Sequence, residues 1–118
     1  MRLKKRLLSF KYALEGIRVL FLSEPNARIH LVISILVILA GFYFQLSKIE
    51  WMIILLTIAL VITAEAFNTA LEKLTDLASP DIHPLAKKVK DIAAGAVLIS
   101  VVFAVIIGVV VFGARVFG

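Results

Sequence analysis

The chain has 118 residues, 62% of them hydrophobic, no cysteine and a mean hydropathy of +1.06. A soluble domain is usually close to half apolar, so the excess calls for lipid as a second solvent, and the lack of cysteine excludes disulfides, thiolate nucleophiles and cysteine metal sites. The net charge of +5 is better explained by membrane topology than by nucleic acid.

Residues 1–22 read as a basic amphipathic helix. Leu3, Leu7, Leu14, Ile17 and Phe21 recur at spacings of three, four and seven, while Lys4, Lys11 and Arg18 repeat on another face. Such a helix lies in the interface plane with its cations near anionic headgroups. Ser23-Glu24-Pro25-Asn26 then breaks the chain, with Pro25 suited to a first helical position.

Three uncharged stretches follow: Ile29–Leu46, Trp51–Ala64 and Ile92–Ala114. Each is near the roughly 20 residues needed to cross a hydrocarbon core of about 30 Å. The expected spans are residues 28–46, 50–71 and 91–113, forming one membrane domain over residues 1–118. No small-residue cleavage pattern follows the first span, so it is expected to stay in the mature protein. Tyr43 and Trp51 flank the Gln45–Glu50 turn, where aromatic belts place such rings. Pro80 and Pro84 mark the turn before span three, which opens with Ala93, Ala94, Gly95 and Ala96, small enough for close helix packing.

Eleven of the 13 Lys and Arg residues precede span one or lie between spans two and three; only Lys48 and Arg115 fall on the other side. The positive-inside rule puts the N-terminus in the cytoplasm and the C-terminus outside.

Span two carries the chemistry. Glu65, Asn68, Glu72 and Asp76 are offset by 0, 3, 7 and 11 residues. At 3.6 residues per turn they fall within about 80° of one another, and Thr69 lies beside them. A solvated helix end scatters its charges around the wheel. With Trp51 at one boundary, Glu65 lies roughly 21 Å deep, Glu72 roughly 31 Å and Asp76 roughly 37 Å. Glu65 is therefore about 9 Å short of the opposite edge of the core, where an ionisable group is a functional-site hypothesis.

Glu24 and Asp91 stand at the same level, just before spans one and three, and Lys90 adjoins Asp91. Carboxylates without cysteine or clustered histidine suit a hard ion such as Mg²⁺. Mg²⁺ with a lysine is what phosphoryl transfer requires. Blander roles compete: Glu72 and Lys73 as a solvated helix end, Asp91 as a cap, His30 and His83 as helix-end or loop histidines rather than ligands. Gly108 to Gly113 has P-loop spacing, but Ala114-Arg115 follows where Lys-Ser/Thr is needed.

Two motifs carry a resemblance: Glu65-x-x-Asn68-Thr69-Ala70-x-Glu72-x-x-x-Asp76, and Ala86-Lys87-x-x-Lys90-Asp91-x-Ala93-Ala94-Gly95-Ala96-Val97-Leu98. With Tyr12-x-x-x-Gly16 and Glu24-x-x-x-Arg28, they resemble the small prokaryotic diacylglycerol kinases, including the undecaprenol kinases, over nearly the whole chain. The resemblance implies an all-α membrane protein of the bacterial plasma membrane: a homotrimeric helical bundle, each subunit with a surface helix and three spans. It implies an ATP-dependent kinase acting on a membrane lipid alcohol, with Glu65 as general base and Glu24 and Glu72 holding Mg²⁺. Tyr12, Asn68, Asp76, Lys90 and Asp91 would surround the nucleotide.

The 79–87 loop and the Asn26–His30 segment look more like the undecaprenol-kinase branch, since the diacylglycerol branch usually has an acid where His30 stands. Undecaprenol is therefore the expected acceptor, with diacylglycerol, giving phosphatidic acid, as the alternative. A small channel or transporter with Glu65 as a proton relay is the rival from another class, and it would turn over no ATP.

Overall fold

A computed structural model describes residues 2–118. Four helices follow one another: α1 (Arg2–Ser23), α2 (Pro25–Tyr43), α3 (Lys48–Ala78) and α4 (Pro84–Phe117). The last three are long and apolar enough to cross a membrane. At about 1.5 Å per residue, the 31 residues of α3 reach roughly 46 Å. That exceeds a hydrocarbon core by roughly 16 Å, so one end of α3 projects into the headgroups and beyond.

The break between α1 and α2 is a single residue. Glu24 adopts an extended conformation, accepts a hydrogen bond from the Asn26 N–H, and hands over to Pro25 in the first turn of α2. Proline is tolerated there because its missing N–H has no intrahelical partner in any case. Arg28 donates from Nη1 to the Phe21 and Leu22 carbonyls at 3.2 and 3.0 Å, satisfying acceptors that the end of α1 leaves open.

Between α2 and α3 the chain turns through residues 44–47, so α2 ends at Tyr43, before the expected limit of its span. Gln45 takes the left-handed conformation (φ 52°) that reverses the chain. Ser47 and Glu50 then form a reciprocal cap: the Glu50 N–H donates to Ser47 Oγ and the Ser47 N–H to Glu50 Oε1. Trp51 packs closely against Gly41, where a Cβ would come within 2.6 Å of the indole. Phe42 meets the Trp51 ring at 4.9 Å, and Phe44 meets Phe112 of α4 at 5.9 Å. Beneath them Leu46, Ile54 and Val111 form the apolar core.

The helix that carries span three begins at Pro84 and contains Asp91 within it. Asp91 therefore does not cap the helix, although it still stands just before the uncharged run that begins at Ile92. The cap is His83, whose Nδ1 accepts from the Leu85 N–H at 3.0 Å, so this histidine is the helix-end residue expected of it. α3 packs chiefly against α4, and α2 lies beside α3. The face of α1 bearing Leu3, Leu7, Leu14 and Ile17 is exposed.

Candidate active site

The buried face of α3 runs through Ile54, Val61, Glu65, Asn68 and Thr75, with Thr69 beside it. These positions recur at intervals of seven, four, three and seven, the seam of a helix packed along its length. From Trp51 the seam is apolar until Val61 and polar from Glu65 onward. Glu65 and Asn68, at the inner end of the stripe read from the sequence, thus continue the packing face, while Glu72 is half-buried and Asp76 exposed. For that reason Glu65 is only 2% exposed.

A carboxylate at that depth needs a partner. It finds one on α2: His30 Nε2 lies 3.2 Å from Glu65 Oε1. The second oxygen, Oε2, is buried without a hydrogen-bond partner, as are Asn68 Oδ1 and Thr69 Oγ1. Three unpartnered polar atoms on adjacent turns are unusual, since a buried unsatisfied group costs about 1–3 kcal/mol. Such a cluster has hydrogen-bonding capacity that this chain alone does not fill.

Toward water the stripe continues as a ladder. Asn68 Nδ2 donates to Glu72 Oε1 at 3.4 Å, and Lys90 of α4 donates to Asp76 Oδ1 at 2.5 Å. Glu72 lies close enough to act on the charges of both Glu65 and Lys90, and Glu24 close enough to act on that of Glu65. Glu24, Glu65, Asn68, Glu72, Asp76 and Lys90 are thereby brought to one side of the molecule, from lipid depth to the headgroup level. Asp91 is turned to its own helix, where Lys87 donates to Oδ2 at 2.6 Å. Tyr12 is exposed on α1 and joins none of these interactions among the described residues.

His30 is the residue that sequence reasoning misread. It was expected to sit at a helix end, yet it lies inside α2 with its side chain 18% exposed. The signal available in the sequence was its place inside the uncharged stretch Ile29–Leu46 rather than ahead of it.

Below His30 an apolar groove of about 480 Å³ runs between α2, α3 and α4 toward Phe112. Ile33, Val37, Ile58 and Val105 line it, and His30 stands at its polar end. A polar cluster with an unpartnered carboxylate oxygen, lying at one end of an apolar slot and leading outward to a lysine and further carboxylates, fits an amphiphile on one side and a soluble anion on the other.

The comparisons with known proteins agree with this reading. The profile of prokaryotic diacylglycerol kinases matches residues 11–112. The chain is 43% identical over 104 residues to the undecaprenol kinase of Bacillus subtilis, covering 88% of this chain and 85% of that protein. It is 43% identical over 103 residues to a diacylglycerol kinase of Synechocystis sp., covering 86% of this chain and 59% of that protein. With the diacylglycerol kinase of Escherichia coli the identity is 27% over 95 residues, or 80% and 78% of the two chains. A match across both the polar stripe of α3 and the Lys87–Asp91 segment of α4 shows that this chain belongs to the prokaryotic diacylglycerol kinase family, in its undecaprenol kinase-like branch.

Proposed function

We propose that this protein transfers the γ-phosphoryl group of ATP to undecaprenol in a bacterial plasma membrane. Family membership makes it a lipid kinase, a phosphotransferase with an alcohol acceptor. The observation that carries the mechanism is Glu65: a carboxylate buried at lipid depth, one oxygen held by His30 and the other without a partner.

In this reading the lipid chain lies along the apolar groove and its hydroxyl reaches Glu65 Oε2. The alcohol oxygen forms a bond to the γ-phosphorus as the bond to the bridging oxygen of the β-phosphate breaks, leaving ADP and the lipid phosphate. The hydroxyl proton passes to Oε2 and is later released to water. A carboxylate withdrawn from water and placed beside the reacting hydroxyl is well suited to that role. Asn68, Asp76, Lys90, Asp91 and Tyr12 serve the nucleotide. Lys90, paired with Asp76, exchanges that partner for a phosphate oxygen when ATP enters.

Glu24 and Glu72 are suited to Mg²⁺. No group of three or more His, Asp or Glu side chains that could hold a metal occurs among the described residues. Mg²⁺ is commonly held by one or two carboxylates, with water and substrate phosphates completing its shell, so a two-carboxylate set fits. When bound, the ion neutralises charge on the β- and γ-phosphates.

Two further elements belong to the proposal. One is a homotrimer with α1 on the cytoplasmic membrane surface, supported by the exposed apolar stripe of α1 and by a polar site left incomplete within one chain. Mixing Glu65→Ala and Asp91→Ala subunits restores part of the activity if those residues meet across chains, and none if each chain holds its own site. The other is a cytoplasmic N-terminus, supported by the eleven-to-two bias of Lys and Arg. An impermeant label that reaches both termini from one side overturns it.

The acceptor is the remaining choice. Equal identity to an undecaprenol kinase and a diacylglycerol kinase keeps both alcohols in view. The match to most of the length of the former, together with the 79–87 loop and the Asn26–His30 segment, favours undecaprenol. Labelled-ATP transfer in mixed micelles holding both lipids at equal mole fraction tests this. More undecaprenyl phosphate than phosphatidic acid is expected. The reverse overturns the acceptor, and transfer to neither overturns the kinase.

A further inference from the structure

Phosphoryl transfer as described uses Glu65 and leaves His30 without a task. The histidine is nevertheless the partner that Glu65 finds on another helix, and it stands where the apolar groove meets the buried carboxylate. The buried Ser34, one turn further along α2, donates from Oγ to the His30 backbone carbonyl at 2.6 Å, as a serine inside a helix commonly does. The ring is only 18% exposed, so few rotamers are open to it.

We propose that His30 is a positioning residue for the reaction. Its Nε2–H donates to Glu65 Oε1, fixes the plane of the carboxylate, and leaves Oε2 as the oxygen that meets the lipid hydroxyl. The inference rests on the lipid-kinase reading and deepens it. A glutamate has three rotatable side-chain bonds, and an untethered carboxylate on α3 would present either oxygen over a range of angles. Proton transfer needs the acceptor within about 2.6–3.2 Å of the hydroxyl oxygen, and misplacement by 1 Å costs about 10²-fold. A donor on the neighbouring helix removes that freedom and leaves one acceptor open. The unpartnered state of Oε2, beside an Oε1 that is held, is the asymmetry such a device produces.

A merely structural pair would tie α2 to α3 and do nothing for turnover in the folded protein. The two roles separate in kinetics. In mixed micelles with saturating MgATP and lipid alcohol, His30→Ala is expected to lower kcat about 10- to 100-fold. The KM for ATP should stay within about twofold, because the nucleotide groups lie further along the stripe. His30→Gln offers an amide N–H near the position of Nε2 and is expected to recover at least half of the lost rate on a logarithmic scale. A kcat for His30→Ala within twofold of the parent overturns the proposal. So does a glutamine variant as slow as the alanine variant.

A second measurement needs no turnover. The chain has two histidines, so the ¹⁵N imidazole resonances of the micellar protein are assigned with His83→Gln. Glu65→Gln is expected to move the His30 signals and leave those of His83 in place. Unmoved His30 signals overturn the pair itself. Transfer to neither lipid by the parent protein sinks the kinase reading instead, and the resonance test still decides whether His30 holds Glu65.

Discussion

The two ends of α3 solve opposite problems. At the Trp51 end the buried seam is apolar and the polar side chains around it pair with one another. Ser47 and Glu50 cap each other, Glu50 also pairs with Arg115 at the far end of α4, and the aromatic rings of Phe44 and Phe112 meet above Leu46, Ile54 and Val111. At the Glu65 end the same buried seam carries Oε2 of Glu65, Oδ1 of Asn68 and Oγ1 of Thr69 without partners. One helix therefore has a satisfied half and an unsatisfied half. Buried groups left open cost about 1–3 kcal/mol each, and each calls for a partner that the single chain does not supply. The Trp51 end holds the helices in register so that the Glu65 end can tolerate that cost.

The sharpest way to break this contrast is Glu65→Gln. It keeps the shape of the side chain and removes the base, so kcat should fall by about 10²–10⁴-fold, while equilibrium binding of a labelled ATP analogue stays nearly unchanged. Near-full kcat in this variant would end the assignment of Glu65 as the base. Glu24→Gln and Glu72→Gln sharpen the contrast within the polar half. Each should raise the Mg²⁺ concentration for half-maximal rate by roughly tenfold, since each removes one of the anionic oxygens that a hard cation prefers. Added metal should recover part of the rate, and an unchanged metal titration in both variants would remove them from the ion's shell.

The smallest effect on chemistry is expected at the opposite end. A Cβ at Gly41 would lie 2.6 Å from the Trp51 ring, so Gly41→Ala should cost about 1–3 kcal/mol of stability through overpacking. Trp51 is the single tryptophan, and its fluorescence during heating in detergent reports the loss. The kcat of the protein that remains folded should stay within about twofold. A fall in kcat as large as that of Glu65→Gln would mean the two ends are not separate in function.

Much of the arrangement was legible before any coordinates. The spans follow from the length of uncharged sequence, and the stripe from Glu65 to Asp76 follows from spacing, because both are properties of one segment. The break at Glu24-Pro25 was equally plain, since proline announces a first helical turn. The cap at Ser47, with Glu50 three residues on, carries its own signature; it was passed over as part of a turn. The basic stretch from Leu85 to Lys90 was already legible as a helix start leading into span three, and only the reading of Asp91 as a cap fails, since the cap is His83.

What the sequence by itself determined is therefore local and periodic: which segments enter lipid, which face of α3 is polar, and which family motifs the chain bears. The tertiary structure decided the pairings between helices, His30 with Glu65 and Lys90 with Asp76, whereas Lys87 and Asp91 meet one turn apart on α4 itself. Pairing between helices depends on their crossing and register, to which the close fit of Trp51 on Gly41 contributes. A shift of one residue, roughly 1.5 Å along the axis and 100° around it, would carry His30 away from Glu65 without altering any spacing within either helix.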